Sequence, residues 1–381
     1  MASLPSSLPF RPGASKGGWS RARTNHPIAE ALPCGELRVI SKSAAGATEL
    51  KATEIRIEAY GDPRQLAPAA VSLPNPQRGQ VLVRQTAIGV NFIDCYHRRG
   101  VFPLPALPGA IGVEAVGVVV ATGPEVAGIS VGDRVGYAGP PIGSYASARL
   151  LPARSLARLP DDIDDRTAAA LMLKGMTAHM IFTRVRPLRS GDSVLVHAAA
   201  GGLGILLAQW ARAKGARVIG TVSTEAKAEI ARAAGCDEVI FYKRQDFVEE
   251  TRRLTGGQGV DIVCEGIGGA TLERSLDCLK PFGTAINLGQ IGEPLSAVNL
   301  ASLGPQRSLS VAVPGVFAHL RTLADLQAGV DEMLALVRSG VLTPRIGLEL
   351  PLNDANEAHR ALEAGETTGA IVLVPAAEFG A

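Results

Sequence analysis

Apolar residues along this chain change their rhythm near residue 190, and the two rhythms predict two kinds of structure. Between Thr53 and about Leu173, short runs rich in Val, Ile and Ala (ATEIRIEAYG, GQVLVRQTAIGV, EAVGVVVATG, VGDRVGYAG) lie between glycine and proline breakers. Runs of that length between turn formers read as the strands of a compact β-rich domain. From Ser193 the order becomes strand, glycine turn, helix, repeated through SVLVHA, LAQWARAKG, ARVIGTV, EAKAEIARAAG, DEVIFY, FVEETRRL, VDIVCEG, TLERSLDCL and GTAINLG. Apolar strands alternating with helices predict an α/β fold built on a doubly wound parallel sheet. The tail holds a long helix, LADLQAGVDEMLALVRSG, a strand, LELPL, a helix, NDANEAHRALEAG, and a closing strand, GAIVLV. Because the parallel sheet is complete by about residue 312, this tail is expected to return to the first domain. The expected division is residues 51–175 with 318–381 as the β-rich domain and 176–317 as the doubly wound one.

Length agrees with two domains, since 381 residues exceed what one hydrophobic core ordinarily organises. Hydrophobic residues at 46% and charged residues at 19% describe a globular chain, and aromatics at 4% with 43 glycines make its core aliphatic. No apolar run approaches the roughly 18 residues of a membrane helix, so a soluble protein is expected. The formal charge is +2, but Arg11, Lys16, Arg21 and Arg23 lie in an acid-free start, which leaves the remainder about −2. Bulk charge therefore excludes a polyanion binder, and nucleic acid is not an expected partner. Five scattered cysteines (Cys34, Cys95, Cys236, Cys264, Cys278) form no C-x-x-C pair, so neither a disulfide framework nor a thiolate zinc lobe is encoded. A reducing, cytoplasmic setting follows. Residues 1–50 are Ser-, Pro- and Gly-rich without periodicity, which reads as a disordered or targeting extension. A transit peptide, and hence an organelle, is one alternative; a start placed too far upstream in a bacterial gene is the other.

The strongest chemical signal is SVLVHAAAGGLGILLAQWARAKGARVIGTV. Ala200, Gly201, Gly202, Leu203 and Gly204 sit between an apolar strand and a helix. There, absent side chains let backbone N–H groups and the helix N-terminus approach a pyrophosphate. A glycine triplet alone is an ordinary turn; the strand–turn–helix–strand context makes it a Rossmann dinucleotide site. At the tip of the second strand, where an NAD site carries an acid for the ribose hydroxyl, the chain reads Val222-Ser223-Thr224. Lys227 follows in the next helix, and Tyr242, Lys243 and Arg244 close the third strand. Donors and cations converging there suit a 2′-phosphate, so NADPH is the expected cofactor. Glu225 counts against this, being able to reach a ribose, and Lys227 alone reads more readily as a solvated helix lysine than as a ligand.

The segments GVNFIDCYHRRGVFPLPALPGAIGVEAVGVV, LKGMTAHMIF, VHAAAGGLG, GTVSTEAKAEIARAAGCDEVIFY and LERSLDCLKPFGTAINLGQ resemble the zinc-independent quinone oxidoreductases. These form the zeta-crystallin-like branch of the medium-chain dehydrogenase/reductase superfamily. The resemblance spans about residues 53–375 and implies a GroES-like fold for the β-rich catalytic domain. Positions matching the zinc ligands of the alcohol dehydrogenases are Asn91, Val113 and Leu173, which cannot hold zinc as those ligands do, so no metal is expected. The resemblance implies NADPH-dependent reduction of a small quinone, without metal or flavin. It places Asn91, Asp94 and Tyr96 at the nicotinamide end of the cleft and Lys174 and Thr177 along the cofactor. Ser223, Lys227 and Tyr242 lie at the 2′-phosphate, and Gly266, Ile267, Leu288 and Gly289 complete the cofactor contacts. One departure is Glu265, where the family usually has an aspartate.

Each residue also has a plainer role. Asp94 reads as the N-cap of a short helix, Tyr96 as a packing aromatic, and His97 beside Arg98 and Arg99 as a solvated face. Glu114 reads as a buried structural carboxylate. Cys95 lies near the cleft with no base evident beside it, and with no obligatory acid or base in view, water would deliver the proton. Reduction of an activated C=C bond in an enal or enone is the rival chemistry; an RNA-binding or crystallin-type structural role is the non-enzymatic one. SLSVAVPG would be an exposed apolar edge of the parallel sheet, which predicts a homodimer.

Overall fold

The computed structural model describes residues 50–292 and 297–376. The expectations placed on the N-terminal extension lie outside the described residues. Strand β1 (Leu50–Ile57) pairs antiparallel with β2 (Ala67–Leu73). Then come β3 (Gln80–Val90), α1 (Phe92–Arg99), β4 (Gly109–Ala110), β5 (Glu114–Thr122), β6 (Arg134–Ala138), β7 (Ala148–Pro152) and β8 (Ala157–Arg158). Strand β3 carries apolar side chains into two cores, with Arg84, Gln85 and Thr86 interrupting the run. Val81, Val83 and Ile88 join an aliphatic core with Ile55, Ile57, Ile111 and Leu151, whereas Ala87 joins a second core beneath the next helix.

That helix, α2 (Asp165–Met180), corrects the expectation of strand character up to Leu173. Asp164 caps it by accepting from the Thr167 N–H at 2.9 Å. Its run AAALMLKGM shows no polar stripe because it packs on β3 and β5 and also on α3 of the parallel sheet and on helices of the tail. The boundary expected between residues 175 and 176 falls inside it.

The parallel sheet follows: β9 (Ser193–Val196), α3 (Gly202–Ala213), β10 (Arg217–Val222), α4 (Glu225–Ala233), β11 (Glu238–Phe241), α5 (Phe247–Leu254), β12 (Val260–Glu265), α6 (Gly269–Ser275), β13 (Leu279–Asn287) and β14 (Ser310–Ala312). Its order is β11-β10-β9-β12-β13-β14, with every pairing parallel. This is the doubly wound Rossmann arrangement, in which the order reverses between β9 and β12. Ligands bind in the crevice at that reversal, at the carboxyl ends of the strands.

The tail runs through α7 (Val316–His319), α8 (Leu323–Arg338), β15 (Ile346–Pro351), α9 (Ala355–Glu363) and β16 (Ala370–Val374). Strand β16 lies antiparallel to β3, with Ile371 opposite Val90, and β15 lies parallel to β16. The tail thereby joins the seven-stranded sheet of the first part, ordered β15-β16-β3-β5-β6-β8 with β7 also on β3. The whole is an α/β fold in which a Rossmann sheet accompanies a β-rich GroES-like region.

Candidate active site

The end of β3 delivers Asn91 to the N-cap of α1. Asp94 is therefore not the cap, as the sequence led one to expect, but the third residue of the helix, reaching back to accept from the Asn91 N–H at 2.8 Å. The same oxygen accepts from the Tyr145 hydroxyl at 3.0 Å. Tyr145 in turn lies 3.0 Å from His359 Nε2, and His359 Nδ1 lies 3.5 Å from Cys95 Sγ. One set of protons satisfies the chain: Cys95 donates to His359, His359 to Tyr145, and Tyr145 to Asp94. Burial pushes the Asp94 carboxyl up to about 7 and the His359 imidazole down to about 3.

Two expectations change here. Cys95 does have an imidazole beside it, but burial raises its thiol well above the usual range, so both partners are neutral and no thiolate forms. His97 and Arg98 are not a solvated face: they are 5% and 1% exposed, and of the three only Arg99 faces water. Arg98 pairs with Glu363 at 2.7 Å, and His97 Nδ1 lies 2.9 Å from the Phe102 carbonyl oxygen.

Glu114, at the start of β5, is fully buried and makes three bonds. Its Oε1 accepts from Asn91 Nδ2 at 2.7 Å and Lys174 Nζ at 3.0 Å, and its Oε2 from the Leu173 N–H at 2.5 Å. Lys174 also donates to the Val90 carbonyl at 3.1 Å. Thr177, one turn further along α2, donates to the Leu173 carbonyl at 2.8 Å. Tyr96 is 6% exposed, and its oxygen accepts from the Gln290 N–H at 2.9 Å.

At the glycine turn, a Cβ on Gly204 would overlap the carbonyl oxygen of Ala198, so only glycine lets the helix start there. A Cβ on Gly202 would sit 3.0 Å from Lys174 Cδ and 3.2 Å from the Ala370 Cα, where α3 meets α2 and β16. Gly201 is open except toward Ala198, and the Ala200 carbonyl accepts from the Gly369 N–H at 2.8 Å. Leu203 is half-buried beside them. After β12, Glu265 accepts from the N–H groups of Ile267 at 2.6 Å and Gly268 at 2.9 Å, and burial raises its carboxyl. It thus holds Gly266 and Ile267 in a turn whose Gly266 has nothing within 4 Å of a Cβ position. The Leu288 N–H donates to the Glu265 carbonyl at 2.6 Å. A Cβ on Gly289 would lie 3.1 Å from the Tyr96 oxygen and 3.2 Å from the Gly266 carbonyl. Tyr96, Gly266 and Gly289 thus converge, as do Asn91, Lys174 and Gly202.

At the tip of β10, Ser223 is half-buried and Thr224 caps α4 by accepting from the Lys227 N–H at 3.3 Å. Lys227 is half-buried, and its ammonium is held below the usual range by burial and by the neighbouring charge of Lys243. Its Nζ donates to the Gly365 carbonyl at 2.5 Å. Tyr242 is exposed and its N–H donates to the Val222 carbonyl at 3.2 Å. Glu225 is paired with Arg244 at 2.7 Å. Two cations crowded beside hydroxyls, with the nearby acid already engaged, suit the dianionic 2′-phosphate of NADPH.

Among the described residues no helix is long and apolar enough to cross a membrane. Residues 77–161 match the alcohol dehydrogenase GroES-like domain, and residues 202–329 match the zinc-binding dehydrogenase family. A 2-haloacrylate reductase of Burkholderia is 42% identical over 330 residues, covering 84% of this chain and 98% of its own. A quinone oxidoreductase of Pseudomonas aeruginosa is 40% identical over 324 residues, covering 85% of this chain and 100% of its own. The crystal structure of Escherichia coli quinone oxidoreductase complexed with NADPH matches with a TM-score of 0.82 at 38% identity, covering 85% of this chain and 100% of that one. With its Rossmann sheet, its GroES-like region and relatives of this identity over their full length, the chain belongs to the zinc-independent quinone oxidoreductase family of the medium-chain dehydrogenases and reductases.

Proposed function

We propose that this chain is an NADPH-dependent oxidoreductase that reduces a small quinone. The observation that carries the coenzyme choice is the crowding of Lys227 and Lys243 at the tip of β10, with Glu225 already paired. When bound in the crevice, NADPH would supply a hydride or electrons to a conjugated acceptor. The chain's own work is to hold and orient. Gly201, Gly202 and Gly204, with Ala200 and Leu203, seat the pyrophosphate at the start of α3, and Ser223, Lys227 and Tyr242 take the 2′-phosphate. Lys174 and Thr177 line the path toward the nicotinamide end, where Asn91, Tyr96, Gly266, Ile267, Leu288 and Gly289 form the walls.

Asp94 stands behind that wall, fully buried, and acts on the site through α1. Among the described residues no side chain is placed there as an obligatory general acid, which favours an acceptor that water can protonate, and a quinone meets that need. The second reading, reduction of an activated C=C bond, is favoured by the 2-haloacrylate reductase relative. NADPH oxidation measured with 1,2-naphthoquinone, 2-alkenals and 2-chloroacrylate separates them: turnover with the quinone alone or best supports the first reading, and inertness to every quinone overturns it.

The GroES-like catalytic domain is assigned to residues 51–175 with 318–381, and the coenzyme domain to 176–317. The edge strand β14 supports a homodimer, with Val313 just beyond it 76% exposed. A cytoplasmic location accords with the four cysteines of the described residues being buried free thiols.

A further inference from the structure

We propose that Glu114 is a positioning residue, which decides the atoms that Asn91 and Lys174 present to the coenzyme and the acceptor. This rests on the assignment of those two side chains to the cleft.

A carboxylate can only accept hydrogen bonds. Fully buried and bonded by both oxygens, Glu114 therefore dictates the polarity of every neighbour it holds. The amide of an asparagine presents an NH2 group on one side and a carbonyl oxygen on the other, and in isolation the two are interchangeable by a flip. The bond of 2.7 Å from Nδ2 to Oε1 fixes the NH2 toward Glu114 and turns Oδ1, an acceptor, away from it. Lys174 has three N–H bonds; one is spent on Glu114 at 3.0 Å and one on the Val90 carbonyl at 3.1 Å, which leaves one. One oxygen of Glu114 thus yields one acceptor of fixed identity and one remaining donor, side by side. A reduced nicotinamide carries a carboxamide NH2 to be accepted, and its ribose carries hydroxyls that can take a donor.

The surroundings are shaped around this carboxylate. Gly89 lies opposite Glu114 in the β3–β5 pair, and a Cβ there would overlap Oε1. The stem of Lys174 rests on Gly202, the first residue of α3. Glu114 therefore links the end of β3, the middle of α2 and the glycine turn, the three segments that the coenzyme must span.

The test is the dependence of Glu114→Gln on its neighbours. A glutamine places an NH2 group where an acceptor is needed, against Leu173 N–H or against the Asn91 and Lys174 donors. NADPH binding, read from the fluorescence of the reduced nicotinamide, is measured for Glu114→Gln in the natural background and again in the Asn91→Ala/Lys174→Met background. Melting temperature is followed alongside. A positioning role predicts that Glu114→Gln raises the Kd for NADPH about tenfold in the first background and less than about twofold in the second, while lowering Tm in both. An equal factor in the two backgrounds, or an unchanged Kd in the first, overturns it.

If Glu114→Gln does not fold, Glu114→Leu/Lys174→Met removes the buried pair together, a change that proteins tolerate better than removal of one partner. It is expected to raise the Kd about tenfold, with Asn91→Ala adding less than twofold; a natural Kd overturns the proposal. Binding needs no acceptor molecule, so a natural chain that binds NADPH but reduces no quinone removes the functional reading and leaves this one standing. A natural chain without affinity for NADPH overturns both.

Discussion

The phenolic oxygen of Tyr96 accepts a hydrogen bond from the backbone N–H of Gln290 at 2.9 Å, and so ties the first helix of the GroES-like region to the loop that leaves β13. Gly289 has no side chain to hold this oxygen off. Tyr96 is thus both a packing aromatic, edge-on to Phe102, and a polar tether to the loop after β13.

Tyr96→Phe keeps the ring and removes the tether. Loss of one hydrogen bond of this kind lowers stability by about 0.5–1.5 kcal/mol. The KM for the quinone is expected to rise several-fold while the Kd for NADPH stays unchanged. Paired measurements of Tm, KM and Kd check this, and an unchanged KM would contradict it.

Lys227 gives one of its three N–H bonds to the Gly365 carbonyl at 2.5 Å, which leaves two for the 2′-phosphate proposed there. Lys227→Ala is expected to weaken NADPH by about 1–3 kcal/mol, the range for a charge-assisted contact, and to leave NADH unaffected. Titration of both coenzymes against both proteins gives the answer; equal losses for the two would remove Lys227 from the phosphate site.

Asp94 and His359 set opposing pH dependences. The folded chain holds the Asp94 proton up to about 7 rather than near 3.8, so the stability it contributes is full below about pH 4 and is lost as pH rises through 7. The His359 pKa falls from 6.5 to about 3, so its contribution is present above pH 6.5 and is lost as pH falls toward 3. Asp94→Asn removes the first trend alone. Its stability relative to the natural protein is expected to climb between pH 4 and 7, by up to about 1.4 kcal/mol per pH unit. Denaturant unfolding at several pH values tests the sign, and a flat difference would refute it.

Val313 stands just past the edge strand β14, 76% exposed. If this edge joins two copies, Val313→Asp sets two carboxylates against each other across the axis and favours the monomer. Light scattering at micromolar concentration is expected to report a dimer for the natural chain and a shift toward half that mass for the variant. A natural monomer would sink the assignment.

What could be read from the sequence divides by the range of the interaction that decides it. The alternation that builds the parallel sheet and the glycine turn are legible because their requirements are local: Gly204 must lack a Cβ within six residues of Ala198. Helix α2 was hidden because its amphipathic signal vanishes when both faces are covered. Tyr145 and His359 carry no local mark, since they meet Asp94 and Cys95 across 51 and 264 positions of chain. Arg98 looks like a surface cation until Glu363, 265 positions away, is placed against it. For Glu114, burial was foreseen but not the three donors it gathers from the N-cap of α1 and from α2.

Strand β16 abuts β3 at Val90, one residue before Asn91, although it is the last strand of the described chain. A ribosome that has already released α1 and the glycine turn still retains the segment that must slot between β15 and β3. The first sheet therefore stays unfinished until β16 has been made, and a nascent polypeptide stalled before Ala370 would offer the unpaired border of β3 to chaperones.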